Sequence, residues 1–75
     1  MKKYNERMRE LREDNDLLQK EVAEKLDIRY NVYQRYEYGE RLIPIDKLIL
    51  LAKLYNTTTD YILGLTDEKK PFPKS

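Results

Sequence analysis

Residues 19–41 read QKEVAEKLDIRYNVYQRYEYGER. Within them Tyr30, Asn31, Gln34 and Arg35 stand at spacings that share one outward side of a helix. These side-chain types can read base edges. Asn or Gln pairs bidentately with adenine and Arg with guanine, each pairing worth about 1–3 kcal/mol of discrimination. Tyr can stack, meet a thymine methyl or bond a phosphate. Gln19 opens the preceding helix, where its amide and backbone N–H can hold a phosphate. Arg29 and Arg41 flank the segment and can neutralise backbone charge. Each residue also has a plainer role. Asn31 or Gln34 alone is an ordinary solvated face, and Gln19 alone is a helix cap. Taken together they point to double-stranded DNA.

A reading helix needs a rigid partner held at a fixed angle, and the apolar spacing predicts five helices. The first covers Asn5 to Asp14, with Met8 and Leu11 inward, Tyr4 at its entry, and Glu6, Arg7, Arg9, Glu10, Arg12 and Glu13 filling the rest. Asp14-Asn15-Asp16 ends it, because Asp and Asn favour turns. The second covers Gln19 to Leu26. Val22, Ala23 and Leu26 face inward, and the small Ala23 allows close approach. Asp27 follows in a left-handed turn that Asp tolerates better than most residues. The third covers Tyr30 to Tyr38, with Tyr33 and Tyr36 inward and Gly39 as a left-handed stop.

Pro44 holds Ile43 extended and introduces the fourth helix, from Ile45 or Asp46 to Tyr55. Ile45, Leu48, Ile49 and Ala52 give its predicted inner stripe, and Asp46 suits the helix dipole. The fifth helix is short, Thr59 to Leu63, with Thr58 as N-cap, Asp60 in its first turn and Gly64 as its stop. The spacing thus predicts an all-α five-helix domain over residues 1–65 and a loose tail, TDEKKPFPKS, over 66–75. The sequence has no repeat, strand pattern or interdomain linker.

Composition removes the competing chemistries. With 75 residues, the chain makes one small domain with a thin stability margin. It has no cysteine and no histidine. Disulfides, thiolate metal sites, Ser-His and Cys-His nucleophiles and the usual neutral-pH base are therefore absent, so an enzyme is not expected, nor a cofactor or metal. A reducing cytoplasm fits. No apolar run approaches the ~20 residues of a membrane span, and MKKYNERM is not a secretory signal. Net charge is only +1, from 15 basic and 14 acidic residues. A nucleic-acid role must therefore rest on where the charges lie.

The segments RMRELRED, QKEVAEKLDI, RYEYGER and LILLAKLYNTTTDYILGLTD, in that order, resemble the Cro and phage-repressor type of helix-turn-helix domain. This is the xenobiotic-response-element class of bacterial regulators. The resemblance covers Met8 to Leu65. It implies a lambda-repressor-like bundle in which helices 2 and 3 form the reading unit. It also implies that Arg29, Tyr30, Asn31 and Arg35 touch bases or adjacent phosphates and that Gln19 binds a phosphate. Arg12 and Glu37 fall where some members form a buried ion pair; the alternative is that both are exposed and contribute little. The chain departs from the pattern in several places. Leu18 and Arg29 stand where capping Ser, Thr or Asn is usual, Asp27 replaces Gly, and Tyr30 replaces Gln or Arg.

Leu50 and Leu54 make an apolar pair off the main stripe of helix 4. They are either a wider core face or a subunit contact. The expected role is a sequence-specific regulator, a repressor acting as a homodimer. A phage-type repressor, a restriction-modification controller and a DNA-binding antitoxin all fit. With no room for a ligand-sensing domain, control is expected from concentration, degradation or a protein partner such as a toxin or antirepressor. The alternative is an interaction module that no longer binds DNA. Near-zero net charge and the missing caps favour it, and Glu37 and Glu40 partly offset Arg35 and Arg41.

Overall fold

The computed structural model describes residues 3–73. Five helices follow in chain order: α1 (Tyr4–Asp14), α2 (Gln19–Lys25), α3 (Tyr30–Glu37), α4 (Ile45–Leu54) and α5 (Thr59–Leu63). No strand occurs among the described residues. No described helix is long and apolar enough to cross a membrane. The expected helices are all present, with ends moved by a residue at most.

The helices are defined chiefly at their C-termini. All five reach a left-handed residue: Asp16 (φ 55°), Asp27 (56°), Gly39 (79°), Asn56 (51°) and Gly64 (79°). The N–H of each of these residues and that of the residue after it return to the last turn. The pairs are Asp16 to Glu13 with Leu17 to Arg12, Asp27 to Glu24 with Ile28 to Ala23, and Gly39 to Tyr36 with Glu40 to Arg35. Asn56 to Lys53 with Thr57 to Ala52, and Gly64 to Tyr61 with Leu65 to Asp60, complete the set. This is the Schellman arrangement, which satisfies carbonyls that a helix end otherwise leaves open. At Gly39 glycine is needed twice over: for the positive φ, and because a Cβ there would stand 3.2 Å from the Asn5 side chain.

The N-termini are poorer. Lys3, Leu18, Arg29 and Pro44 occupy cap positions with no side-chain acceptor engaged. Thr58 alone caps fully, accepting from the Tyr61 N–H at 3.0 Å. At α2 half of a capping box exists, because the Glu21 carboxylate accepts from the Leu18 N–H at 2.9 Å and Leu18 has nothing to return.

The core gathers Met8 and Leu11 of α1, Val22 and Ala23 of α2 with Leu26 at its end, and Tyr33 and Tyr36 of α3. Leu48, Leu51 and Ala52 of α4, Tyr55 and Ile62 complete it. α2 packs on α3, α1 on α5 and α3, and α4 on α5. Two expectations change. The buried stripe of α4 is Leu48, Leu51, Ala52 and Tyr55, whereas Ile45 and Ile49 are 76% and 37% exposed. Apolar residues cover more than half of this helix, so its sequence allows two stripes of the same period, and only one can meet α5 and the core. Arg7 is buried, not part of the solvated face. Its guanidinium lies 4.1 Å from the centre of the Tyr61 ring and pairs with Asp67 at 3.0 Å.

Between Leu65 and Pro73 the chain turns back onto the body. Besides Asp67 on Arg7, the Phe72 N–H donates to Asn56 Oδ1 at 3.1 Å, and Phe72 packs partly against the core.

Candidate nucleic-acid interface

α3 has one face committed to the core and one left open. Tyr33, Tyr36 and Glu37 are buried, while Tyr30, Asn31 and Arg35 are exposed and Gln34 is half-buried between them. This division follows from the helical period. Two large tyrosines three residues apart fix which side of so short a helix turns inward. The four-residue connection from Leu26 to Arg29, closed by the left-handed Asp27, sets α3 against α2. Lys47 of α4 adds a tie that the sequence pattern does not announce: its Nζ donates to the Leu26 carbonyl at the end of α2, at 2.8 Å.

Under the open face lies a polar cluster. Arg12 grips Glu37 bidentately, with Nε on Oε2 at 2.9 Å and Nη2 on Oε1 at 2.8 Å. The Arg12 Nη1 also donates to the Leu17 carbonyl at 3.0 Å. The Glu37 side chain is 1% exposed. Burial alone would raise its pKa, but hydrogen bonding from Arg12, with further contributions from Tyr33 and Gln19, outweighs that and holds the carboxyl below its ordinary value. The Tyr33 and Tyr55 hydroxyls are buried without a well-formed hydrogen bond. Burial pushes both phenols up, and the nearby Glu37 charge adds to the effect. Asn5 closes the far end of α3, its Nδ2 donating to the Glu37 carbonyl at 3.1 Å.

Gln19 belongs to this cluster. Its Nε2 donates to Glu37 Oε1 at 3.1 Å, and its Oε1 accepts from Gln34 Nε2 at 3.3 Å. It does not cap α2, whose N-cap is Leu18. One amide hydrogen on Gln19 remains free for another partner.

A groove beside α3 is lined by Arg9, Arg12, Leu18, Gln19, Lys20, Tyr30, Glu37 and Tyr38. It brings Gln19 and Tyr30 together with two exposed cations, Arg9 and Lys20, that the motif reading left aside. The signal for both was available. Arg9 lies three residues before Arg12 on α1, and Lys20 directly follows Gln19. Arg29 and Arg41 are exposed at either end of α3, and the Arg41 carbonyl accepts from the Tyr4 hydroxyl at 3.2 Å. Leu50 is exposed on α4, whereas Leu54 is partly packed against the core, so the two differ in what they can offer a second subunit.

The other side of α1 carries the opposite charge. Glu10, Glu13, Asp14 and Asp67 gather around Arg7 and Tyr61. The near-neutral total therefore conceals a local difference, with Arg9 and Lys20 in the groove beside α3 and an acidic cluster on the other side of α1.

Comparison with known proteins agrees with this architecture. A helix-turn-helix family model matches residues 8–62. The chain is 44% identical over 68 residues to an uncharacterised HTH-type transcriptional regulator, YobD, of Bacillus subtilis (strain 168), covering 91% of this chain and 61% of that protein. It is 42% identical over 64 residues to the HTH-type transcriptional regulator ImmR of the same organism, covering 85% and 50%. It is 33% identical over 70 residues to the HTH-type transcriptional regulator AnsR, covering 93% and 60%. The chain thus spans between half and three-fifths of the length of these relatives. No solved structure matches it significantly. With the matched region running from α1 into α5 and the α2–α3 unit at its centre, the chain belongs to the Cro and repressor type of helix-turn-helix family, the xenobiotic-response-element class of transcriptional regulators.

Proposed function

We propose that this protein binds double-stranded DNA sequence-specifically and regulates transcription in the cytoplasm, as a repressor that holds its operator as a homodimer. The observation that carries the reading is the division of α3. One face is locked by Tyr33, Tyr36 and the Arg12–Glu37 pair, and the other offers Tyr30, Asn31, Gln34 and Arg35. In this reading α3 enters the major groove and those four side chains meet base edges. Gln19, Arg29 and Arg41, joined by Arg9 and Lys20, hold the phosphates on either side.

The dimer in this reading is compatible with the dimensions of one copy. Two recognition helices in successive major grooves stand about 34 Å apart. A body of 29 × 26 × 23 Å spans that distance when two copies stand nearly side by side. Leu50, exposed on α4, is the proposed contact, with Leu54 beneath it.

Fluorescence anisotropy on the DNA upstream of the gene and on a scrambled duplex, across a salt series, tests the reading. Preference for the upstream fragment is expected, with log affinity falling linearly in log salt at about −0.9 per phosphate neutralised. Arg29→Ala, Arg35→Ala and Arg41→Ala should each weaken binding and flatten the slope. Asn31→Ala should relax sequence preference. Leu50→Asp should shift sedimentation toward monomer. Equal and feeble binding to both fragments would reject the DNA reading in favour of a module acting through a protein partner.

A further inference from the structure

The tail segment Pro71-Phe72-Pro73 is built to hold one shape. Each proline fixes its own φ and holds the residue before it, Lys70 or Phe72, extended. Neither proline has an N–H, so the three residues own a single backbone donor. That donor, the Phe72 N–H, is spent on Asn56 Oδ1 at 3.1 Å. Asn56 is the left-handed residue that closes α4 (φ 51°), so the stop of α4 also sets out the acceptor. The Lys53 ammonium stands 5.6 Å from the centre of the Phe72 ring, within reach of a cation–π contact. Phe72 and Pro73 form one wall of a groove, and Ile49 of α4, the cap Thr58, and Thr59 and Asp60 of α5 form the rest. The single phenylalanine of the chain is thus seated, half-buried, at the corner where α4 meets α5.

We propose that this corner is a peptide-recognition site for an aromatic side chain held between two prolines. The chain's own tail occupies it, and a protein partner carrying a segment of that chemistry enters by displacing Phe72. The seat matches what the tail carries: Asn56 takes the one N–H, Lys53 faces the ring and Ile49 offers apolar surface. A segment stiffened by two prolines loses little freedom on seating, the same advantage that proline-rich ligands bring to their grooves. The tail is a strap and not core. Upstream, Asp67 is held on Arg7 of α1. Between the two anchors Glu68, Lys69, Lys70 and Pro71 are exposed. The Lys70–Glu68 pair at 3.2 Å and the Glu68 N–H bond to Thr66 Oγ1 at 3.1 Å stay within the segment. Phe72 and Pro73 can therefore lift while the Asp67 pair stays made. From Asp67 to Phe72 the chain reaches at most about 18 Å, so with Asp67 on Arg7 the resident is the tail of the same copy. The proposal is independent of the reading of α3.

NMR of the full chain is the test, with the peptide EKKPFPKS (residues 68–75) as the probe and EKKPAPKS as its control. Phe72→Ala should move the backbone amides of Ile49, Lys53, Asn56, Thr58 and Thr59 and leave those of α2 and α3 in place. The probe should return them saturably toward their wild-type positions, and the control should not. On wild-type protein the probe should bind about tenfold more weakly, because a tethered copy at high effective concentration competes for the seat. The proposal is overturned if Phe72→Ala leaves those amides where they were, if probe and control act alike, or if wild-type and variant take up the probe equally. Loss of amide dispersion in Phe72→Ala would overturn it too, since Phe72 would then be core and not a displaceable ligand. Unlabelled wild-type protein added to labelled Phe72→Ala protein should restore nothing. Restoration would seat the tail of a second copy at the corner and overturn the assignment of its resident.

Discussion

Glu37 holds a charge where a chain of this size has little room for one, and the surrounding donors explain how. Bidentate Arg12 and the Gln19 amide supply three charge-assisted hydrogen bonds to a carboxylate with almost no exposure. Replacing either ion strands the other. Arg12→Met is therefore expected to cost about 3–5 kcal/mol in urea unfolding. The pH dependence has a definite sign. The folded carboxyl titrates below its ordinary value of 4.5, so the stability linked to it is fully present above that pH. It is lost as pH falls from there through the folded pKa, because the unfolded chain takes up the proton first. Urea midpoints should decline in this acidic window, and Glu37→Gln should remove this group's share of the decline. A slope unchanged by Glu37→Gln would mean that other carboxylates govern acid stability.

The helices are finished at one end and unfinished at the other, and this asymmetry is open to measurement. Leu18 already has N-cap backbone geometry, with φ −86° and ψ 153°, and Glu21 already supplies the returning bond. Leu18→Ser completes the box and should raise stability by about 1 kcal/mol in thermal or urea unfolding. Asp27 carries a left-handed φ at the α2–α3 turn, and Asp27→Gly should add roughly 0.5–1 kcal/mol. The register of α4 separates just as clearly. Leu51 is fully buried and Ile49 is not. Leu51→Ala should cost about 2–5 kcal/mol, while Ile49→Ala should cost under about 1 kcal/mol. Equal losses would place the wrong face of α4 inward.

At the scale of the whole molecule, charge and chain return matter more than composition. A net charge of +1 describes neither the basic groove beside α3 nor the acidic cluster behind α1. Association with a polyanion responds to the local field, because salt screens charges beyond about 10 Å at 0.1 M. The returning C-terminal segment adds contacts of modest strength. Asp67 pairs with Arg7 but its side chain is 98% exposed, and such pairs contribute about 0–1 kcal/mol. Chain ending at Leu65 should therefore remain folded by circular dichroism, with a urea midpoint only slightly lower. Complete unfolding of that truncated chain would move the domain boundary past Phe72.

The sequence by itself determined the number and order of the helices, the turn positions and the exposed side of α3. These depend on local period, on Asp, Asn and Gly tolerating left-handed turns, and on two tyrosines three residues apart. Tertiary structure alone decided the rest. Which of two equivalent apolar stripes α4 buries depends on what α5 presents to it. Arg7 reads as surface charge until Tyr61 and Asp67 arrive from the other end of the chain. Gln19 reads as a cap or a phosphate ligand until Glu37, eighteen positions later, gives its amide a direction. Local spacing places a side chain on a face, but a long-range partner fixes which of its atoms points outward.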